Sequence, residues 1–169
     1  MKDTGKLQVA ARSEREIVVT REFDAPRRMV FDAMTKPELL KRWLGVFGGW
    51  ELAVCEIDLR LGGTYRWVWR QSSDGSEMGV RGTYREIVPP ERIVCTELFD
   101  VPWYPGEALI TTTYAEQDGR TTLTMTILYV SREARDGVLK SPMERGITMS
   151  YNNLAKLLEN GESRRSSSE

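Results

Sequence analysis

The chain has 169 residues, of which 40% are apolar and 29% charged, the size and balance of one globular domain and not of a disordered or fibrous chain. Its 24 basic and 25 acidic residues leave a net charge of −1, so no global field draws it to nucleic acid or an anionic membrane. It has no histidine and only two cysteines, which excludes imidazole-based catalysis, histidine-ligated zinc, a thiolate zinc cage and a disulfide-dense secreted scaffold.

In chain order, residues 1–15 are polar and expected to form a flexible N-terminal segment, residues 16–160 one domain, and residues 161–169 (GESRRSSSE) a disordered tail. The leading residues contain no apolar leader core, and no stretch nears the roughly 20 apolar residues of a membrane span. A cytoplasmic protein with reduced thiols, no metal and no cofactor is expected. Ile17, Val19 and Phe23 alternate with Thr20 and Glu22, the period of a half-buried strand. Pro26 and Pro37 then each open a short helix, the first with Met29, Val30, Phe31, Ala33 and Met34 as its apolar face, the second with Leu39, Leu40, Trp43 and Leu44.

From Trp50 to Val130 the period becomes two, through Ala53, Cys55, Ile57 and Leu59, then Tyr65, Trp67 and Trp69, then Met78, Val80 and Tyr84, and finally Leu123, Met125, Ile127 and Tyr129. Turn signals at Gly62-Gly63, Ser73-Asp74-Gly75, Pro89-Pro90, Pro102 to Gly106 and Asp118-Gly119 divide this run into about six antiparallel strands. Ser141-Pro142-Met143-Glu144 is a capping box, followed by Met143, Ile147, Tyr151, Leu154 and Leu158 at helical steps. The long C-terminal helix must bury that stripe, and the sheet's inner face is the apolar surface large enough to receive it. The predicted class is therefore α+β: a curved antiparallel sheet of about 6–7 strands around a long C-terminal helix, two short helices after the first strand, and a hollow between sheet and helix.

The strings FDAPRRMVFDAMTKPELLKRWLG (23–45), CEIDLRLGGTYRW (55–67), GVRGTYREIVPPERIVCTE (79–97) and DGRTTLTMTILYVSREARD (118–136) carry a resemblance. The chain resembles the START/SRPBCC superfamily, in its branch of heat-shock-protein-90 ATPase activator-like and polyketide cyclase-like proteins. The resemblance implies a helix-grip fold of the START and birch-pollen-allergen kind with a hydrophobic pocket. It implies no single chemistry, since carriers, cyclases, resistance proteins and co-chaperone modules share the fold.

A tight turn at Ser72 to Ser76 pairs Trp69 with Met78, Trp67 with Val80 and Tyr65 with Gly82, and sets Arg70 opposite Glu77 outside. Tyr65, Trp67, Trp69, Met78, Val80 and Tyr84 are then expected inward, with Gly82 leaving room for the Tyr65 ring; a bulge at Gly82 would reverse Tyr84. For the next strand two registers remain open, placing either Cys95, Glu97 and Phe99 or Val94, Thr96 and Leu98 inside. An inward Glu97 would be a carboxylate in an apolar hollow, with a raised pKa and an acid–base role. Acidic side chains are seldom buried unpaired, so an outward, solvated Glu97 is the expected facing.

Trp43, Trp50, Trp103 and Tyr104 stand beside the meander, and the stiff loop from Pro102 to Gly106 is placed at the pocket rim as a gate; each of these aromatics can equally be core filler. Met78, Met125, Met143 and Met149 suit an adaptable wall, as they suit irregular packing. The expected ligand contacts are Trp43, Tyr65, Trp67, Trp69, Met78, Val80, Tyr84, Trp103, Met125, Ile127, Met143, Ile147 and Tyr151. None of the glycine clusters has the strand-to-helix setting of a phosphate loop. Glu56 and Asp58 lie on the outer face, where Arg66, Arg81 and Arg85 are expected to pair with them; with its aromatics turned inward the sheet is no RNA platform.

Binding of a small hydrophobic or aromatic molecule is the leading expectation. The first alternative is a cofactor-independent cyclase or hydrolase acting on a polyketide-like substrate, with Glu97, Glu107 and Tyr84 as acid–base candidates. The second is a co-chaperone-type interaction module, against which counts the additional N-terminal domain of eukaryotic activators, absent from this sequence. A monomer or weak dimer is expected.

Overall fold

The computed structural model describes residues 5–168, with side chains through residue 160. The elements are β1 (Gln8–Arg12), β2 (Glu16–Phe23), α1 (Arg27–Thr35), α2 (Pro37–Leu40), β3 (Trp50–Ile57), β4 (Thr64–Gln71), β5 (Glu77–Val88), β6 (Arg92–Phe99), β7 (Ala108–Gln117), β8 (Arg120–Leu128), α3 (Arg132–Lys140) and α4 (Met143–Ser168). The eight strands form one curved antiparallel sheet in the order β1-β2-β8-β7-β6-β5-β4-β3, left open between its edges β1 and β3. With α4 against the concave face, this is the expected α+β helix-grip architecture. Among the described residues no helix is long and apolar enough to cross a membrane.

The core forms where the α4 stripe meets the sheet. Tyr151, Leu154 and Leu158 are buried with Ile17, Val19, Phe23, Leu123 and Ile127 from β2 and β8; each such side chain contributes roughly 1.5–3 kcal/mol through lost apolar exposure. Phe23 and Trp43 both contact the Tyr151 ring, with centroids 5.7 and 5.8 Å away. Trp43 is 0% exposed and donates its indole N–H to the Ala33 carbonyl at 2.9 Å, locking the segment after α2 to α1.

Four expectations change. Gln8–Arg12 is a strand paired with β2, where 1–15 was expected to stand outside the fold; its side chains are mostly exposed, so it carries no apolar alternation, and backbone pairing holds it. α3 is a helix the sequence reading omits: Ser131 caps it, accepting from the Ala134 amide at 3.1 Å, but Ala134 and Val138 are its only buried apolar residues. α4 is drawn through the stretch expected as tail, whose side chains lie outside the described residues. On the outer face Arg66 and Arg81 hold Asp100, at 2.6–3.0 Å, rather than Glu56 or Asp58.

Candidate functional site

The β4–β5 register is the expected one, with Trp69 opposite Met78, Trp67 opposite Val80, Tyr65 opposite Gly82 and no bulge between them. Outside, Arg70 binds Glu77 at 2.8 and 3.0 Å. Inside, Tyr65, Trp67 and Trp69 form a continuous aromatic wall, their centroids 4.6 and 6.2 Å apart along the strand. Tyr65 reaches across to donate its hydroxyl to the Thr96 carbonyl at 2.6 Å, directly above Gly82, where a Cβ would strike both the ring and that carbonyl.

Between this wall and α4 lies a cavity of about 490 Å³. The sheet lines it with Tyr65, Trp67, Trp69, Met78, Tyr84, Met125 and Ile127, the segment after α2 with Trp43, and α4 with Met143, Ile147 and Tyr151. Trp103 lines it from the loop after β6. Met78 and Trp103, 44% and 47% exposed, are the parts of the lining most open to solvent, which puts the aromatic loop at the mouth. Twelve of the thirteen expected contacts therefore face one space. Val80 does not: it is 1% exposed and packed into solid core outside the lining. Glu107, the acid–base candidate on the same loop, is exposed and outside the lining as well.

Several lining residues escaped the sequence reading. Ile110, Thr112 and Tyr114 form a strict alternation on β7 whose signal is present but diluted by threonines. Leu44, Gly45 and Phe47 belong to the irregular segment between α2 and β3. Three hydrogen bonds of 2.9 Å fasten that segment across the cavity: Gly45 N–H to Ser150 Oγ, Asn153 Nδ2 to the Val46 carbonyl, and Trp69 Nε1 to the Leu44 carbonyl. The strap is thus tied to α4 and to the aromatic wall at once.

Glu97 faces inward, against expectation. β6 has no bulge and presents Ile93, Cys95, Glu97 and Phe99 to the cavity; the parity is reconciled with Tyr84 by a bulge in β5 between Tyr84 and Glu86. Tyr104 donates its hydroxyl to Glu97 Oε1 at 2.7 Å. The other carboxylate oxygen has no hydrogen-bond partner among the described residues and is not sealed off, so it opens on the cavity. Burial pushes the Glu97 pKa above its ordinary value of 4.5, and the Tyr104 hydrogen bond pulls only partly back. Burial likewise raises the Cys95 thiol to about 12 and the Tyr84 hydroxyl further, so both are neutral. The Trp67 indole N–H is buried without an acceptor among the described residues, an arrangement that costs roughly 1–3 kcal/mol.

A stability signature follows from the raised Glu97 pKa. The fold favours the protonated acid, so its contribution is complete below about 4.5 and is lost as pH rises through the higher folded value. Glu97→Gln keeps an acceptor for Tyr104 and removes the charge; the variant should be more stable than the parent at neutral pH, by about 1–3 kcal/mol, with the gain vanishing toward pH ~4. Urea unfolding across that range reads the difference, and equal curves at neutral pH would mean that the carboxylate is well solvated.

Residues 24–159 match the family model of the Activator of Hsp90 ATPase homolog 1-like proteins. The chain belongs to this family. Its helix-grip relatives include a protein of Rhodobacter sphaeroides with 31% identity and a TM-score of 0.85, the likeness covering 92% of this chain and 99% of that one. A Nitrosomonas europaea protein, at 22% identity and TM-score 0.78 over 90% and 99% of the two chains, shares the fold. So does CalU16 of Micromonospora echinospora, at 19% identity and TM-score 0.65 over 94% and 77%. No curated protein matches the chain. Membership in the Activator of Hsp90 ATPase homolog 1-like family places a ligand-binding type of fold around the cavity.

Proposed function

We propose that this protein binds one small, mainly apolar and aromatic molecule in the chamber between the sheet and α4, as a cytoplasmic binding protein. The observation that carries the reading is the unfilled space itself, about 490 Å³ walled by tryptophan, tyrosine, methionine and isoleucine. Ligand pockets run from roughly 300 to 1,000 Å³ with few polar groups among apolar walls, and this one fits that description. A guest recovers the dispersion contacts that facing walls cannot make with each other across the gap. The aromatic loop at the mouth, Trp103 above all, is the gate, and the strap over Leu44 to Phe47 supplies the lid that need not move.

The enzymatic alternative has less to stand on. Of its three candidates Glu107 lies outside the cavity, and burial holds Tyr84 neutral; the groups beside Glu97, the Tyr104 hydroxyl and the Cys95 thiol, are likewise kept neutral by burial, so no second ionised group shares the chamber with it. Binding is tested with N-phenylnaphthylamine, a neutral dye that brightens in apolar surroundings. The expected result is a saturable rise in emission at one dye per chain, with Tm climbing as dye is added, since ligand at about 100 times its Kd stabilises the fold by about 2.7 kcal/mol. A linear, unsaturable response with no thermal shift would dismiss the reading.

A further inference from the structure

Resting on that cavity reading, we propose that the cognate ligand is a lipophilic amine, its ammonium group seated on Glu97 and its hydrocarbon body on the tryptophan wall. The cavity contains one carboxylate, bonded through one oxygen only, to Tyr104. The second oxygen faces the space the ligand would fill. Among the described residues no lysine or arginine lines the chamber, so none of the lining supplies the opposite charge.

The surroundings suit a cation as well. Phe99, Trp103, Tyr104 and Tyr129 form a chain of edge-to-face rings, with centroids 5.0–6.0 Å apart, and Tyr104 within it holds the carboxylate. Tyr65 and Trp67 stand on the strand beyond β5, and the acid is near enough for the Tyr65, Tyr104 and Tyr129 hydroxyls all to feel its charge. Aromatic faces attract a cation within about 6 Å, most strongly where water is excluded. Carboxylate and rings thus converge on one part of the chamber, while the rest of the lining is mainly apolar, with neutral hydroxyls such as those of Thr112, Ser150 and Tyr151 and no further charge among the described residues.

Competing ligand chemistries fit less well. A neutral hydroxyl could donate to the open oxygen but would leave the charge uncompensated, and an anion would meet repulsion. An ammonium does both jobs, forming a charge-assisted hydrogen bond and neutralising the site. Burying an ion pair usually fails because two ions must be stripped of water. Here the fold has already taken part of the water from one of them, so most of the added dehydration is the ligand's own, set against an ion pair and the ring faces together.

Calorimetric titration of the full chain at neutral pH with naphthylmethylamine, naphthylmethanol and naphthylacetate, three probes sharing one ring system, tests this. The amine should bind at least about tenfold more tightly than the alcohol, and the carboxylate most weakly. In Glu97→Gln the amine's advantage should disappear, the amine and the alcohol then binding within about twofold of each other. The wild-type ranking alone decides the matter should the variant fold poorly. An amine no tighter than the alcohol overturns the proposal, as does a preference that survives Glu97→Gln. If the dye binds and the ranking is flat, the cavity reading stands and the amine does not; if neither the dye nor any naphthyl compound binds, both fall.

Discussion

Narrowing the chamber from the sheet and the helix together, with Met125→Trp on β8 and Ile147→Trp on α4, is expected to weaken N-phenylnaphthylamine binding at least about 30-fold, or about 2 kcal/mol. Both side chains line the cavity and neither is fully buried, so each indole grows into empty space. Overpacking a filled core costs about 1–3 kcal/mol because neighbours must leave their rotamers. Here no neighbour occupies the volume, and Tm is expected to stay within a few degrees. Val80→Trp is the contrasting control: Val80 points to the same side of the sheet, but in solid packing outside the lining, and its replacement should unfold or severely destabilise the domain. Comparison of dye affinity and melting curves for the two variants separates a real chamber from loose packing. Undiminished dye affinity in the double tryptophan variant would place the dye elsewhere on the surface.

That design depends on knowing which way each strand faces, and the sequence is legible to different depths from strand to strand. For β4 and β5 the turn is short, the aromatics alternate without interruption, and Arg70 and Glu77 mark the outer face, so three independent signals agree. Agreement between local pattern, turn and charge is what makes a register readable. β3 breaks the rule at Ala53, where the pairing shifts between Leu52 and Val54: Leu52 and Trp50 face in before it, Cys55 and Ile57 after it. A bulge adds a residue to one strand only, and nothing in that strand's own composition announces it.

The same device hid the facing of Glu97. Ile93, Cys95 and Phe99 are apolar, but so are Val94 and Leu98, so β6 has no polar face to lean on. The general rule against buried acids then pointed the wrong way, because it does not know about the Tyr104 hydroxyl waiting on the next loop. Arg21, on which the alternation of β2 is silent, sits on the buried face of that strand, between Val19 and Phe23, bonded to Asn152 of α4 at 2.8 Å and 5.3 Å from the Phe23 ring centre. Both residues break binary patterning, and each is held by a side chain outside its own strand, Glu97 by Tyr104 of the following loop and Arg21 by Asn152 of α4. The aromatic walls, by contrast, needed only near neighbours to be placed.

Gly82→Ala is expected to cost about 1–3 kcal/mol, a fall in Tm of several degrees for a domain of this size, although it adds a single methyl group. The reason is the pile formed over this position. Gly82 pairs with Tyr65 across β4–β5, and the Tyr65 hydroxyl is bound to the carbonyl of Thr96 on β6, so ring and carbonyl together roof the glycine. A Cβ would meet both at less than van der Waals distance, and only the ring can move. Moving it breaks the bond to Thr96 and swings Tyr65 toward the cavity, where it contacts Trp67 and Tyr84. Loss of stability should therefore come with loss of dye affinity. A double-mutant cycle with Tyr65→Leu apportions the cause: if the ring is the obstacle, the double variant loses less than the sum of the singles, and if the Thr96 carbonyl is, the losses add. Near-wild-type melting and dye binding in Gly82→Ala would show that the aromatic wall is not held in the tight register on which the shape of the chamber depends.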